Sequence, residues 1–135
     1  MARGFIPHST EDGRVPPWEY LPATGSTAPE IGLACVLSSG KLVKASGTTK
    51  PTYICMRHED AAVTAGTLIP VIAVQPDIIF EVPNQASLSG VNIGQAVTIH
   101  TDGLQITATT SSGVATIVDK VDGSGTGNPT LVKFL

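Results

Sequence analysis

Short apolar runs separated by glycine turns organise this chain, above all between Ile31 and Glu81. The runs are rich in β-branched residues and show almost no helical periodicity, which is typical of strands. The pattern predicts strands at Leu33–Leu37, Lys41–Ala45, Tyr53–Met56, Thr67–Val74, Ile78–Val82, Val97–His100, Leu104–Thr107, Val114–Val118 and Leu131–Leu135. About nine short strands with frequent turns predict an all-β fold, either a small antiparallel barrel or a sandwich.

Two glycine turns define the predicted hairpins. Ser38-Ser39-Gly40 and Thr101-Asp102-Gly103 each read as a three-residue loop with glycine last, where a positive φ is required. Val97 and Ile99 alternate with polar residues before the second turn, and Leu104 and Ile106 do so after it. This alternation predicts half-buried antiparallel strands on both sides of the second turn.

Residues 1–30 form a segment of different character, which holds half of the chain's ten prolines. Proline lacks an amide donor and fixes φ, so we predict an extended N-terminal arm, followed by a β domain over residues 31–135. The arm also carries apolar side chains that we expect to contact a neighbouring chain. These candidate anchors are Phe5, Ile6, Trp18, Tyr20 and Leu21. The alternative is that the segment folds back onto its own domain.

Composition and charge narrow the classes of function. Only 14% of the residues are charged, against a typical value of about 25%, so we expect a partner or further copies of the chain to cover part of the surface. The net charge of −3, with scattered Lys and Arg, argues against nucleic-acid binding. No stretch approaches the ~20 apolar residues of a membrane span, and the N-terminus lacks the apolar run of a signal peptide.

Candidate catalytic chemistry is confined to one polar cluster, His58-Glu59-Asp60. Adjacent side chains diverge on a strand or a helix, so the three do not converge by local structure alone. A zinc site needs three or four converging ligands, which would require His8 or His100 to join the cluster. We therefore expect no catalytic residue, no metal and no cofactor. An enzyme, the least favoured class, would need a site built from His58, His100 and an aspartate.

Two further residue types bear on binding and redox chemistry. Cys35 and Cys55 fit no zinc or redox spacing, so we expect buried free thiols, with a disulfide between neighbouring strands as the alternative. Carbohydrate binding favours an exposed aromatic platform. On the predicted domain only Tyr53 and Phe80 are available, and both lie in apolar runs typical of a core.

The region from residue 20 to 135 resembles the small capsid decoration proteins (cement or head-stabilising proteins) of tailed bacteriophages. The resemblance rests on the proline-rich entry TGSTAPEIGLA, the hairpin VLSSGKLVKAS, and TYICMRHED followed by a Gly-Thr-x-Ile-Pro-Val strand. It continues from VTIHTDGLQITAT to the C-terminal LVKFL.

The resemblance implies a non-enzymatic β protein, often trimeric, on the outer surface of the virion. Such a protein binds the expanded head after assembly in the bacterial cytoplasm and clamps neighbouring major capsid subunits. The arm residues named above would then contact the capsid or a sister subunit. The alternative is a head-fibre or tail-associated binding module that contacts the host surface or a glycan. Neither function calls for nucleic acid, a membrane or a cofactor.

Overall fold

A computed structural model describes residues 4–121 and 123–135, and folds them into two antiparallel sheets of five strands each with no helix. The strands are β1 (Ile6–Thr10), β2 (Trp18–Pro22), β3 (Ala34–Ser38), β4 (Lys41–Lys44), β5 (Tyr53–Cys55), β6 (Leu68–Ala73), β7 (Ile78–Pro83), β8 (Ala96–Val97), β9 (Ala115–Asp119) and β10 (Pro129–Phe134). The first sheet has the order β1-β7-β10-β9-β8, and the second has the order β2-β6-β5-β3-β4. The all-β prediction is confirmed, and the arrangement is consistent with a sandwich.

The main core lies between the two sheets and contains all three phenylalanines of the chain. The ring centroid of Phe134 lies 5.1 Å from that of Phe5 and 5.4 Å from that of Phe80. These rings come from strands β10 and β7 and from the residue just before β1. Strict alternation of buried and half-buried positions along β7 and β10 places one face of the first sheet in this core.

A second apolar cluster occupies the other face of the second sheet. Neighbouring residues on β6 divide between the two clusters, since Ile72 packs in the main core and Val71 in the second. The sheet curls around the second cluster until β2 and β4 meet, where Ala23 and Leu42 form a parallel bridge. The second sheet is therefore packed on both faces, which explains why its central strands lack polar alternation.

The proline-rich arm predicted for residues 1–30 is not confirmed, because the described part of this segment contributes a strand to each sheet. β1 pairs with β7 and β2 pairs with β6. The N–H of Phe5 donates to the carbonyl of Gly32 over 2.8 Å. Gly4 has a φ of 76°, and a Cβ at this position would lie 2.6 Å from the carbonyl carbon of Gly32. This close approach requires glycine and fixes the segment against residues 31–135.

The prolines are compatible with strands because both strands lie at sheet edges. Pro7 lies next to a register shift in β1, and Pro22 ends β2. An edge strand uses only alternate amide groups for pairing, so a missing N–H on the outer side breaks no ladder hydrogen bond. The prolines therefore exclude a helix and a central strand, as predicted, but they do not exclude the edge strands that form.

The first predicted hairpin forms, with a shorter turn than expected. Ser38 pairs directly with Lys41, which leaves the two-residue loop Ser39-Gly40. Both loop residues have positive φ, at 50° and 78°. This is the type I′ requirement, and the backbone twist of such a turn matches the right-handed twist of the flanking strands.

The second predicted hairpin forms in part: Ala96–Val97 is a strand, and Leu104–Thr107 pairs antiparallel with the residues after Val97 without forming a continuous ladder. The turn itself is present, with Gly103 at a φ of 71° and its N–H donating to the carbonyl of His100. Beyond it, Ile99 exchanges two backbone hydrogen bonds with Gly47, at 2.7 and 3.0 Å. These bonds lie on the edge of the segment that faces away from Leu104–Thr107. On the other edge the N–H of His100 donates to Gln105 and the N–H of Thr107 donates to Thr98, but the return bonds shift register, so only the Ile99–Ile106 bridge forms.

Replacing Phe5 with alanine should lower the free energy of unfolding by about 3–5 kcal/mol, because the change empties a fully buried ring position between two strands. Urea denaturation followed by circular dichroism measures the effect. Val15→Ala is the matched control in the same segment, where the side chain is 85% exposed and a change within about 0.5 kcal/mol is expected. An unchanged midpoint for Phe5→Ala would mean that the segment does not belong to the folded unit.

Candidate functional site

An exposed apolar stripe lies on the ribbon formed by β2 and β6. Trp18 pairs with Ile72, Tyr20 with Pro70 and Pro22 with Leu68. Directly paired residues of antiparallel strands share a face, so these side chains lie on the same side of the ribbon. Three of them are exposed to solvent: Trp18 at 51%, Tyr20 at 61% and Leu68 at 57%. We call these three side chains the aromatic stripe.

The backbone of β2 has a free edge beside the aromatic stripe. The N–H of Ala23 donates to Thr67, and the carbonyl of Pro70 accepts from Met56 on the far side of β6. By the alternation of an antiparallel ladder, the amide groups of Glu19 and Leu21 therefore face β6. Those of Trp18 and Tyr20 face outward, on the part of β2 that lies before the Ala23–Leu42 bridge to β4 and that has no neighbouring strand in the sheet order. Pro22 adjoins the Ala23–Leu42 bridge, so the free edge of β2 is the part from Trp18 to Tyr20.

The structure separates the five candidate anchors into three groups. Phe5 is fully buried in the main core, so it cannot contact a partner in this conformation. Ile6 and Leu21 are half-buried, and Leu21 packs against the second cluster. Trp18 and Tyr20 remain exposed and form one surface. Sequence reasoning missed Leu68, since the signal that adds it to the surface is the register between β2 and β6.

The polar cluster at His58 is built from two segments that are far apart in sequence. The Nδ1 atom of His58 lies 3.1 Å from Glu30 Oε2, and its Nε2 atom lies 3.1 Å from Asp60 Oδ1. Beside this group, Arg57 Nε donates to Glu59 Oε2 over 2.9 Å. The expectation that adjacent side chains diverge is confirmed for His58 and Glu59, which bind different partners.

Glu30 is the partner that the sequence reasoning did not find. In the antiparallel pairing of β3 with β5, Ala34 lies opposite Ile54. Extending the same register by four residues places Glu30 opposite His58, and the hydrogen bond from the Glu59 N–H to the Pro29 carbonyl continues it. The pairing of these two strands was the missing information.

The two carboxylates raise the pKa of His58 above its ordinary value of 6.5, and the hydrogen bond to Glu30 is the largest cause. His58 is exposed, so this is a surface cluster open to solvent. His8 contacts only Ser9 through its ring, so it does not join the cluster. Within residues 4–121 and 123–135, no three His, Cys, Asp or Glu side chains come together as metal ligands would. In the same residues no helix has the length and apolar character to cross a membrane.

Both cysteines are buried free thiols in the second cluster. Burial raises the pKa of Cys35 to about 12, with a smaller contribution from the nearby Cys55, and burial also raises the pKa of Cys55. The thiol of Cys55 donates to the carbonyl of Arg57 over 3.3 Å. Thiols of this kind are weak nucleophiles at neutral pH, because little thiolate forms. The expectation of buried free thiols is confirmed.

Comparison with known proteins adds no family to this description, because no protein-family model and no curated protein matches the chain.

The Glu30→Gln substitution should lower the pKa of His58 towards its ordinary value, because the neutral amide no longer stabilises the imidazolium. An NMR titration of the imidazole signals measures the change. The Asp60→Asn variant should have a smaller effect, and the His8→Gln control should leave the pKa of His58 where it is. Equal pKa values in wild type and Glu30→Gln would show that the contact is absent in solution.

Proposed function

We propose that this chain is a non-enzymatic capsid decoration protein of a tailed bacteriophage, located on the outer surface of the expanded head. The resemblance in sequence suggests this class, and one structural observation carries the proposal further. The aromatic stripe and the free edge of β2 form a single surface that combines exposed apolar area with unpaired backbone groups. Surfaces with both features mark sites of protein association.

The proposed contact is strand addition to β2. An extended segment of the major capsid protein would accept hydrogen bonds from the outward N–H groups of Trp18 and Tyr20 and donate to their carbonyls. Its side chains would pack on the aromatic stripe, since large aromatic side chains dominate the energetics of most interfaces. Glu19 is exposed on the opposite face of the ribbon, where a Lys or Arg of the added strand would pair with it.

A trimer fits this role through multivalency. Three copies of the β2 edge on one homotrimer would engage three neighbouring capsid subunits at once. After the first contact the others become intramolecular, and the overall affinity can rise by about 10²–10⁴ without any new contact. A modest interaction at each edge would then be sufficient to clamp adjacent subunits.

Pelleting of the purified protein with expanded, undecorated phage heads tests this proposal, with immature shells as the control. We expect saturable binding to expanded heads alone, at a whole-number ratio to the capsid protein. Absence of binding to either shell would contradict the proposal.

Trp18→Ala and Tyr20→Ala should each weaken binding to expanded heads by about tenfold or more, as truncation of an aromatic anchor typically costs more than 1 kcal/mol. The pelleting assay with a concentration series measures the change. Ile93→Ala is the matched control, because Ile93 is equally exposed at 60% and lies on the loop before β8. Equal losses in all three variants would mean that β2 is not the contact.

The Tyr20→Pro substitution separates strand addition from side-chain contact. It removes an outward N–H and leaves the hydrogen bonds to β6 in place, so the fold should tolerate it. Binding by Tyr20→Pro should be weaker than binding by Tyr20→Ala, because only the proline also removes the backbone donor. Equal binding by the two variants would argue for side-chain contact without strand addition.

A specific observation also favours the second candidate, a head-fibre or tail-associated module that binds the host surface or a glycan. The aromatic platform expected for carbohydrate binding does not come from Phe80, which is fully buried, or from Tyr53, which packs against the second cluster. Trp18 and Tyr20 supply one instead, two residues apart on the same face of β2. Glycan-array binding that is lost in Trp18→Ala, together with no binding to heads, would establish this alternative.

A further inference from the structure

Residues 24–30 connect β2 to the start of β3 and cover the second apolar cluster, and we call them the strap. Beneath the strap lies a cavity of about 20 Å³. Its lining includes Thr24, Thr27 and Pro29 from the strap and both cysteines from the sheet. The cavity is large enough for little more than a water molecule, so a larger molecule can reach Cys55 only if the strap moves.

Two contacts fasten the end of the strap to the loop that follows β5. One is the backbone hydrogen bond from Glu59 N–H to the carbonyl of Pro29, at 2.9 Å. The other is the hydrogen bond from the His58 ring to Glu30. Cys55 lies directly below this point, with its thiol bonded to the carbonyl of Arg57.

The His58 contact depends on protonation for a geometric reason. Both ring nitrogens face carboxylate oxygens at 3.1 Å, and an ionised carboxylate only accepts hydrogen bonds. A neutral imidazole has one N–H, so it can satisfy only one of the two carboxylates. The imidazolium satisfies both. Arg57 and Glu59 are the other charged groups on this loop, and they are paired with each other at 2.9 Å.

We propose that His58 is a pH-sensitive latch, which in its doubly protonated form holds the strap closed over the two free thiols Cys35 and Cys55. Loss of one proton leaves a ring nitrogen lone pair facing a carboxylate, so one of the two hydrogen bonds becomes a repulsion. When the remaining proton lies on Nε2, the bond to Glu30 is lost, and of the two contacts with the loop only the backbone bond from Glu59 to Pro29 remains, so the strap opens more often. This inference is independent of the proposed role on the capsid.

The direction of the pH dependence follows from the raised pKa. A group whose pKa is higher in the folded than in the unfolded protein stabilises the fold fully at pH values below its unfolded-state pKa, which for histidine is near 6.5. That stabilisation is lost as the pH rises through the higher, folded value. The latch is therefore closed in mildly acidic solution and releases above the pKa of His58.

The test is the rate at which iodoacetamide alkylates Cys55, measured by peptide mass mapping across the pH range in wild type and in His58→Gln. The ratio of the two rates is the readout, because the ionisation of the thiol itself cancels in it. We expect His58→Gln to react about two- to fivefold faster than wild type below pH 6.5, as for the loss of exposed ion pairs. The ratio should fall to one as the pH passes the pKa of His58.

Two further variants, one outside the latch and one within it, show whether a change in the alkylation rate comes from the latch. His8→Gln changes an exposed histidine outside the latch, and its rate should equal that of wild type at every pH. Glu30→Ala removes the strap's half of the contact, which covers the case in which the first variant folds poorly. Because the Glu30 charge also raises the pKa of Cys55, this variant should react faster than wild type at every pH, with an additional increase below pH 6.5 that matches that of His58→Gln. A ratio of one at all pH values in both latch variants, or a ratio that does not change with pH, would overturn the proposal.

Discussion

The packing of Phe134 between Phe5 and Phe80 is the contact on which the rest of the structure depends. Centroid distances of 5.1 and 5.4 Å join residues from the beginning, middle and end of the chain in one buried group. Aromatic pairs at such distances add to the free energy gained from burial alone. Because Phe5 is fixed there, β1 is held against β7, and the chain must cross from the first sheet to begin β2 at the edge of the second.

This crossing explains why the aromatic residues of the N-terminal segment have different roles. Phe5 belongs to the core, whereas Trp18 and Tyr20 lie on an edge strand whose outer neighbour is solvent. In the sequence they form one set, because they share a proline-rich segment. Their separation is a consequence of tertiary pairing, which no local pattern contains.

The same distinction between local pattern and tertiary pairing separates the other features that could be predicted from the sequence from those that could not. Strands β3 to β7 and β9 to β10 were predictable within one or two residues, because each is an apolar run bounded by turn residues. Leu104–Thr107 was predicted from an equally good alternation, and it pairs only irregularly, because the carbonyl of His100 accepts from Gly103 and the N–H of Thr98 donates to Thr109. In the candidate site, the residues Trp18, Tyr20 and His58 could be found from the sequence. Their partners Leu68 and Glu30 could not, since each lies opposite by strand register alone.

An ordered β2 edge changes the energetics expected of binding. A free arm that becomes ordered on a partner loses conformational entropy at that moment, which reduces the affinity obtained from its contacts. In this fold the two residues that matter, Trp18 and Tyr20, are already held in strand conformation by five consecutive pairs with β6. Preorganisation of this kind leaves more of the contact energy for binding. A short surface with two aromatic rings and two outward N–H groups can therefore serve as a specific contact, above all when several copies act together.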